Sequence, residues 1–231
     1  MNELARILMK ISGTVVPNHV KYVYCFAHNN INIPCMVKGL QLWTFKTPPA
    51  GAVFTELQTD KDNADWELKV SNGVNYNNIT GKKLCILNNK HAMSGISSCD
   101  DISSVYMSYN YEVETIPYDA SLNSINTRIE SEALVNWIIL NNVQHIAICA
   151  PPYHTLRAFM TLVSVCIERG VNIKIYTIHG MVVDWNDITI THNGETNGSF
   201  SSVIELELER IKKYTEKGDI CNCDKIWNYI K

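Results

Sequence analysis

Apolar residues along this chain gather in short unbroken runs rather than in strict alternation. Lys21 to Ala27 reads KYVYCFA, Lys83 to Leu87 reads KLCIL, and His145 to Ala150 reads HIAICA. Runs of this length, rich in β-branched and aromatic residues, predict strands buried on both faces, as in a parallel sheet. Glu112 to Pro117 and Asn172 to Ile178 predict two more, and Asp184 to Thr191 is a further strand candidate. Helical spacing takes over between them. A short helix is expected around Cys35 to Phe45, before the Pro48-Pro49 break, and a helix or turn around Asp100 to Tyr109. The strongest helix signal starts at Asn126 or Thr127, repeats through Ile129, Ala133, Trp137 and Leu140, and stops at Asn141-Asn142. A Pro-Pro step opens the next helix, from about Tyr153 to Glu168, and Arg169-Gly170 closes it. Ser199 to Glu216 reads as a terminal amphipathic helix whose turns are marked by Val203, Leu206, Arg210, Ile211 and Tyr214.

Strands alternating with helices predict an α/β fold. The expected architecture is one Rossmann-like three-layer domain over residues 1–231, with a mostly parallel sheet of about five strands. Residues 47–80 interrupt the alternation with Asn, Gly, Asp and Pro, so an insertion or lid is expected there, outside the sheet. Ligands of such sheets bind at the carboxyl ends of the strands, where the strand order reverses. The loops at those ends are polar here: His28 to Asn30, Asn88 to His91, Asp119 to Thr127, and Tyr153 to Arg157.

Composition narrows the function classes. Twenty Lys and Arg stand against 23 Asp and Glu, a formal net charge of -3, so no basic excess favours a phosphate backbone and general nucleic-acid binding is not expected. No stretch approaches the ~20 continuous apolar residues of a membrane span, and the apolar run of MNELARILMKISG is too short for a signal-peptide core. Most of the eight cysteines sit inside apolar runs, where cysteine behaves as a small buried hydrophobe. Cys221 and Cys223 form a lone C-x-C without the further ligands of a zinc site. A reduced, cytoplasmic protein without a metal is the expectation. Dinucleotide, Walker, nucleophile-elbow and zincin motifs are absent from the sequence.

Two constellations carry the candidate chemistry. In Ala150-Pro151-Pro152-Tyr153-His154-Thr155-Leu156-Arg157-Ala158, His154 and Arg157 are three apart and share a face of the first helical turn. Helix N-terminal N–H groups favour an anion, Arg157 adds a planar donor fork, and His154 adds an acid or base. The bland alternative is a capping histidine beside a solvated arginine. The second constellation is Ser121 to Thr127 with Glu130, where Asn126 and Thr127 serve as ligand contacts or as ordinary caps. Glu130 could reach a ligand hydroxyl or pair with Arg157. His28, Asn29, Asn88 and His91 lie in the loops after the first two strands and complete the candidate set.

Ser124-Ile125-Asn126-Thr127 through Glu130, followed one βαβ step later by CAPPYHTLRA, resembles the YdcF/SanA/ElyC superfamily, best over about Glu112 to Ile178. The resemblance implies a Rossmann-like fold with a pocket at the carboxyl end of the sheet. An S-adenosylmethionine-binding property belongs to one branch and envelope roles to others. This sequence carries Ala27-His28-Asn29-Asn30 and Asn88-Asn89-Lys90-His91 in place of the family's small-residue turns, its acid at Glu130 falls one residue late, and the envelope branch's N-terminal anchor is absent.

The expected function is therefore binding of a small anionic, nucleotide-like metabolite. His154 is the candidate catalytic residue of a hydrolase or transferase. Tyr153, Arg157, Asn126, Thr127, Glu130, His28, Asn29, Asn88 and His91 are the candidate ligand contacts. The alternative is a non-catalytic protein that sequesters a nucleotide signal. The many Asn, Ile and Lys residues suggest an AT-rich, viral origin for such a sponge. The cofactor is open, S-adenosylmethionine or another nucleotide resting on the resemblance only, and an oligomer is left open.

Overall fold

Strands that are apolar at consecutive positions need a cover on each face, and the chain supplies two. The computed structural model describes residues 3–12, 16–17, 19–26, 33, 36–37, 39–40, 58–59, 66–67, 82–90, 97–109, 111–118, 125–179, 185–186, 188–190 and 197–231. In chain order the elements are α1 (Glu3–Ser12), β1 (Tyr22–Cys25), β2 (Gln58–Thr59), β3 (Trp66–Glu67), β4 (Lys83–Leu87), α2 (Cys99–Ser108), β5 (Glu112–Ile116), α3 (Thr127–Leu140), β6 (His145–Ala150), α4 (Thr155–Arg169), β7 (Lys174–His179), β8 (Ile188–Ile190), β9 (Asn197–Ser199), α5 (Phe200–Lys217) and α6 (Cys223–Ile230). Five strands form one parallel sheet in the order β5-β4-β1-β6-β7. Counted along the chain these are strands 3-2-1-4-5, the Rossmann-like order expected, and the order reverses between β1 and β6.

Side chains alternate between the two covers. Tyr24, Phe26, Ile146 and Ile148 pack under α1, α3, α4 and α6, against Ile7, Leu134, Phe159, Leu162 and Ile226. Val23, Cys25, Ala147 and Cys149 face the other way, against Met36, Val37, Leu40 and the α2 residues Ile102 and Tyr106. Each fully buried aliphatic or aromatic side chain contributes about 1.5–3 kcal/mol, so this double burial is what fixes the register. The described positions 36–37 and 39–40 are helical, within the helix expected from about Cys35, and Ile33 is helical ahead of it.

Two readings of the pattern are adjusted, and one is kept. β8 pairs antiparallel with β9, in a separate two-stranded sheet, instead of joining the five strands. Within residues 47–80, β2 and β3 form a separate two-stranded antiparallel ribbon, outside the central sheet as expected. α1 and α6 were not foreseen. Each is short, and each holds on through tertiary contact with the other, with Arg6 lying over the Trp227 ring at 5.4 Å. Among the described residues no helix is long and apolar enough to cross a membrane.

The helix that follows β6 decides where the site lies. Thr155 Oγ1 donates to the carbonyls of Ala150 and Pro151, which ties the start of α4 to the strand end. Gly170, at φ 64°, ends α4 in the left-handed region that glycine adopts without a Cβ clash. Every residue from Thr155 to Cys166 is buried, because α3, α5 and α6 all pack on α4 while the sheet lies beneath it. An arginine in its first turn cannot be a solvated surface charge.

Candidate functional site

Arg157 is only 3% exposed, so its charge must be matched inside the protein. The match comes from α5. Arg157 Nε donates to Glu207 Oε2 at 2.6 Å and Nη2 donates to Oε1 at 3.2 Å, a fork on a carboxylate. Arg157 Nη1 donates to Thr127 Oγ1 at 2.7 Å. Arg210, half-buried on the next turn of α5, donates from Nη1 to Glu207 Oε1 at 2.6 Å. His154 places Nδ1 3.2 Å from Glu207 Oε2 and is fully buried, with Phe26 edge-on at 6.4 Å. One carboxylate thus gathers His154, Arg157 and Arg210, while Thr127 anchors the far end of the fork.

These surroundings set the protonation states. Burial, and then the Arg157 charge, lower the His154 pKa from 6.5 to about 4, so the ring is neutral at pH 7. Burial works against ionisation of Glu207. Hydrogen bonding to His154 and the adjoining positive charge of Arg157 outweigh it and hold the carboxyl well below the ordinary carboxylate range. Beside this cluster Tyr24 donates its hydroxyl to Glu130 Oε1 at 3.3 Å, and burial followed by the Glu130 charge raises the Tyr24 pKa.

Arg157 also borders a cleft, although its side chain is only 4% exposed. The cleft, about 240 Å³ in volume, lies between the start of α3, the side of α4 and the end of α5. Asn126, Thr127, Arg157, Thr161, Tyr214 and Lys217 line it. The bonds to Glu207 and Thr127 use three of the five N–H groups that a guanidinium carries. The Tyr214 ring lies against Arg157 at 5.8 Å, and Lys217 Nζ is 5.7 Å from the same ring. Arg128 and Asp219 also border the cleft, but Arg128 is held by Glu132 at 2.7 Å and by Glu168. The cations left to act on a ligand are Arg157 and Lys217.

The sequence-derived candidates therefore divide. Asn126, Thr127 and Arg157 come together on the cleft. Asn126 is also the cap of α3, its Oδ1 accepting from the N–H groups of Arg128 and Ile129. His154 and Glu130 stand behind the cleft in the buried layer. Tyr153 is buried beside Phe200 and Val203, its ring 5.9 Å from Phe200. Asn88 ends β4 and accepts from Cys99 Sγ at 3.5 Å, so it steadies the start of α2. His28, Asn29 and His91 lie outside the described residues. His154 does not cap α4 with its side chain, which corrects the bland alternative as well.

Glu207 and Lys217 escape the sequence reading, Arg210 and Tyr214 enter it only as marks of the α5 turns, and Glu207 leaves a trace. Val203, Glu207 and Ile211 fall four apart on the apolar stripe of α5, and a carboxylate there is a charge on a buried face. No family model, curated protein or solved structure matches the chain.

Proposed function

We propose that this protein binds a small anionic, nucleotide-like metabolite in the cleft between α3 and α5. The observation that carries this reading is the Arg157 guanidinium, fixed by Glu207 and Thr127 yet still bordering the cleft. A pre-oriented fork loses little entropy on meeting a phosphate or carboxylate. Lys217 adds a second cation and Tyr214 a ring face against which a planar group can stack. The cleft lies on the helical layer, beside the starts of α3 and α4, the helices that follow β5 and β6, rather than over the strand ends themselves. Its volume of about 240 Å³ is below the roughly 300–1,000 Å³ of a drug-sized pocket, so it takes an anionic group and its immediate neighbour. S-adenosylmethionine does not fit this cleft. It is too large, and its sulfonium would face two cations.

Holding without turnover is the reading favoured by His154, which is fully buried and sits against Glu207 as a neutral ring. It acts as a positioning residue for the carboxylate that aims Arg157. The hydrolase or transferase reading rests on that same pair, since a carboxylate at Nδ1 fixes one imidazole tautomer. The resemblance to the YdcF/SanA/ElyC superfamily supports the ligand class. All seven described cysteines are thiols, which suits a cytoplasmic protein.

The test is calorimetry of the purified protein against inorganic phosphate and a panel of nucleoside mono- and diphosphates, with product analysis of each mixture. Lys217 is exposed, so Lys217→Ala leaves the fold intact and is expected to weaken binding by about threefold to tenfold. Ligand recovered unchanged supports sequestration and a new product supports an enzyme. A panel ligand that binds Lys217→Ala as tightly as the parent would place the site elsewhere.

A further inference from the structure

The amino edge of the sheet gathers three donor atoms from three chain segments. His19 lies just before β1, His145 opens β6, and Tyr176 sits in β7, and these three strands are neighbours in the sheet. His19 Nε2 is 3.3 Å from His145 Nδ1, with the rings edge-on at 4.5 Å. His145 Nδ1 is also 3.3 Å from the Tyr176 hydroxyl. A neutral imidazole offers one lone pair at an unprotonated nitrogen. The tautomers decide which of the three groups donates, and a proton is not the only cation that can sit between them.

A metal ion can as well. With metal–nitrogen distances of 2.0–2.1 Å in a tetrahedral site, two nitrogen donors stand about 3.3–3.4 Å apart, the separation already present between His19 and His145. The strand register holds His145 and Tyr176 on one sheet face, since His145 pairs with Lys174 and Ala147 with Tyr176. His19 is exposed, which gives an ion a way in, and the other two are half-buried. We propose that His19, His145 and Tyr176 form a binding site for one divalent transition ion of the imidazole-preferring class, Cu²⁺ or Zn²⁺.

The donor set determines the preference. Two imidazoles and a phenol suit Cu²⁺ and Zn²⁺, with Cu²⁺ the tighter of the two, and do not suit Mg²⁺ or Ca²⁺. No three of His, Cys, Asp and Glu converge among the described residues, so no carboxylate adds charge to the site. Lys82, whose Nζ donates to the Val20 carbonyl at 2.7 Å, and Lys174, on the same sheet face as His145, are like charges nearby. Both weaken the attraction of the site for a cation. The sequence reading assigned no metal because these residues are far apart in the chain and show no ligand spacing.

The test uses the full chain without an affinity tag, titrated with Cu²⁺ or Zn²⁺ alone in a buffer that does not chelate. One ion per chain is expected, tighter for Cu²⁺, with a rise in the unfolding temperature that grows with metal concentration. His19→Ala and His145→Ala should each weaken Cu²⁺ binding by at least about tenfold, and each should remove the metal-dependent rise. Unfolding of the metal-free variants reports any loss of fold separately. Tyr176→Phe should weaken binding less and remove any visible phenolate-to-copper absorption band. A His19→Ala, His145→Ala double variant that binds Cu²⁺ as tightly as the parent would overturn the proposal, as would a folded parent that binds neither ion.

Discussion

At the scale of the residue, Glu207 determines what Arg157 and His154 can do. Arg157, a candidate ligand contact in the sequence, is also a buried structural charge. With Glu207 and Arg157 both buried, deleting the arginine removes the carboxylate's fork and leaves it only Arg210 and His154 as partners. Arg157→Ala should therefore cost about 1.5–3 kcal/mol in urea unfolding, whereas Arg157→Met combined with Glu207→Leu should recover most of that loss. A single variant as stable as the parent would show that the pair is not structural. Acidity tests the same cluster. His154 stays neutral in the folded chain down to pH about 4, but in the unfolded chain it takes up a proton near 6.5. Below pH 6.5 the unfolded state binds more protons, so stability falls with pH, by roughly 3 kcal/mol between those two values. Glu207, whose folded carboxyl titrates well below its unfolded value of 4.5, adds a further loss as pH drops past that value. Urea unfolding from pH 4 to 8 should show the decline, and His154→Gln should flatten its upper part. An equally steep profile in that variant would assign the decline to other groups.

At the scale of the element, the start of α3 has two tasks. Asn126 caps the helix through the N–H groups of Arg128 and Ile129, and the next residue, Thr127, accepts from Arg157. Helix formation and site geometry therefore depend on the same two positions. Asn126→Ala should cost about 1 kcal/mol of stability by removing the cap, read as a lower urea midpoint at unchanged slope. Asn126→Ser, which keeps a capping oxygen, should recover most of it. If both substitutions lower the midpoint equally, the role of Asn126 is not that of a cap. α5 has a comparable double role, since the helix that places Val203 and Ile211 in the core also places Glu207 beneath Arg157 and Tyr214 beside the cleft.

At the scale of the whole molecule, the strand order explains why the polar groups collect where they do. The sheet runs outward in both directions from β1 and β6, so the helices after β5 and β6 both lie on one face. Their N-termini stand side by side at the carboxyl edge, which brings Thr127 within reach of Arg157 across 30 residues of chain. The C-terminal α5 then closes over them. The amino edge holds the His19, His145 and Tyr176 group instead, and the two proposed sites share no residue and can be tested independently.

Local pattern alone determined much of this. Consecutive apolar residues identify β1, β4 and β6, because a strand buried on two faces has no polar alternation to show. The Asn126 cap and the Gly170 stop are legible because they depend on bonds and backbone angles within a few residues. The convergence of Asn126, Thr127 and Arg157 was also foreseeable, since a βαβ step puts successive helix starts at one edge. Other features were decided only in three dimensions. The burial of Arg157 depends on α5 packing over α4, and the role of Glu207 depends on which turn of that helix meets the guanidinium, 50 residues away in the chain. The approach of His19 to His145 depends on strands β1 and β6 becoming neighbours, a pairing across 126 positions. Short-range propensities act over a few residues, whereas a buried charge finds its partner only after the sheet has brought distant segments together.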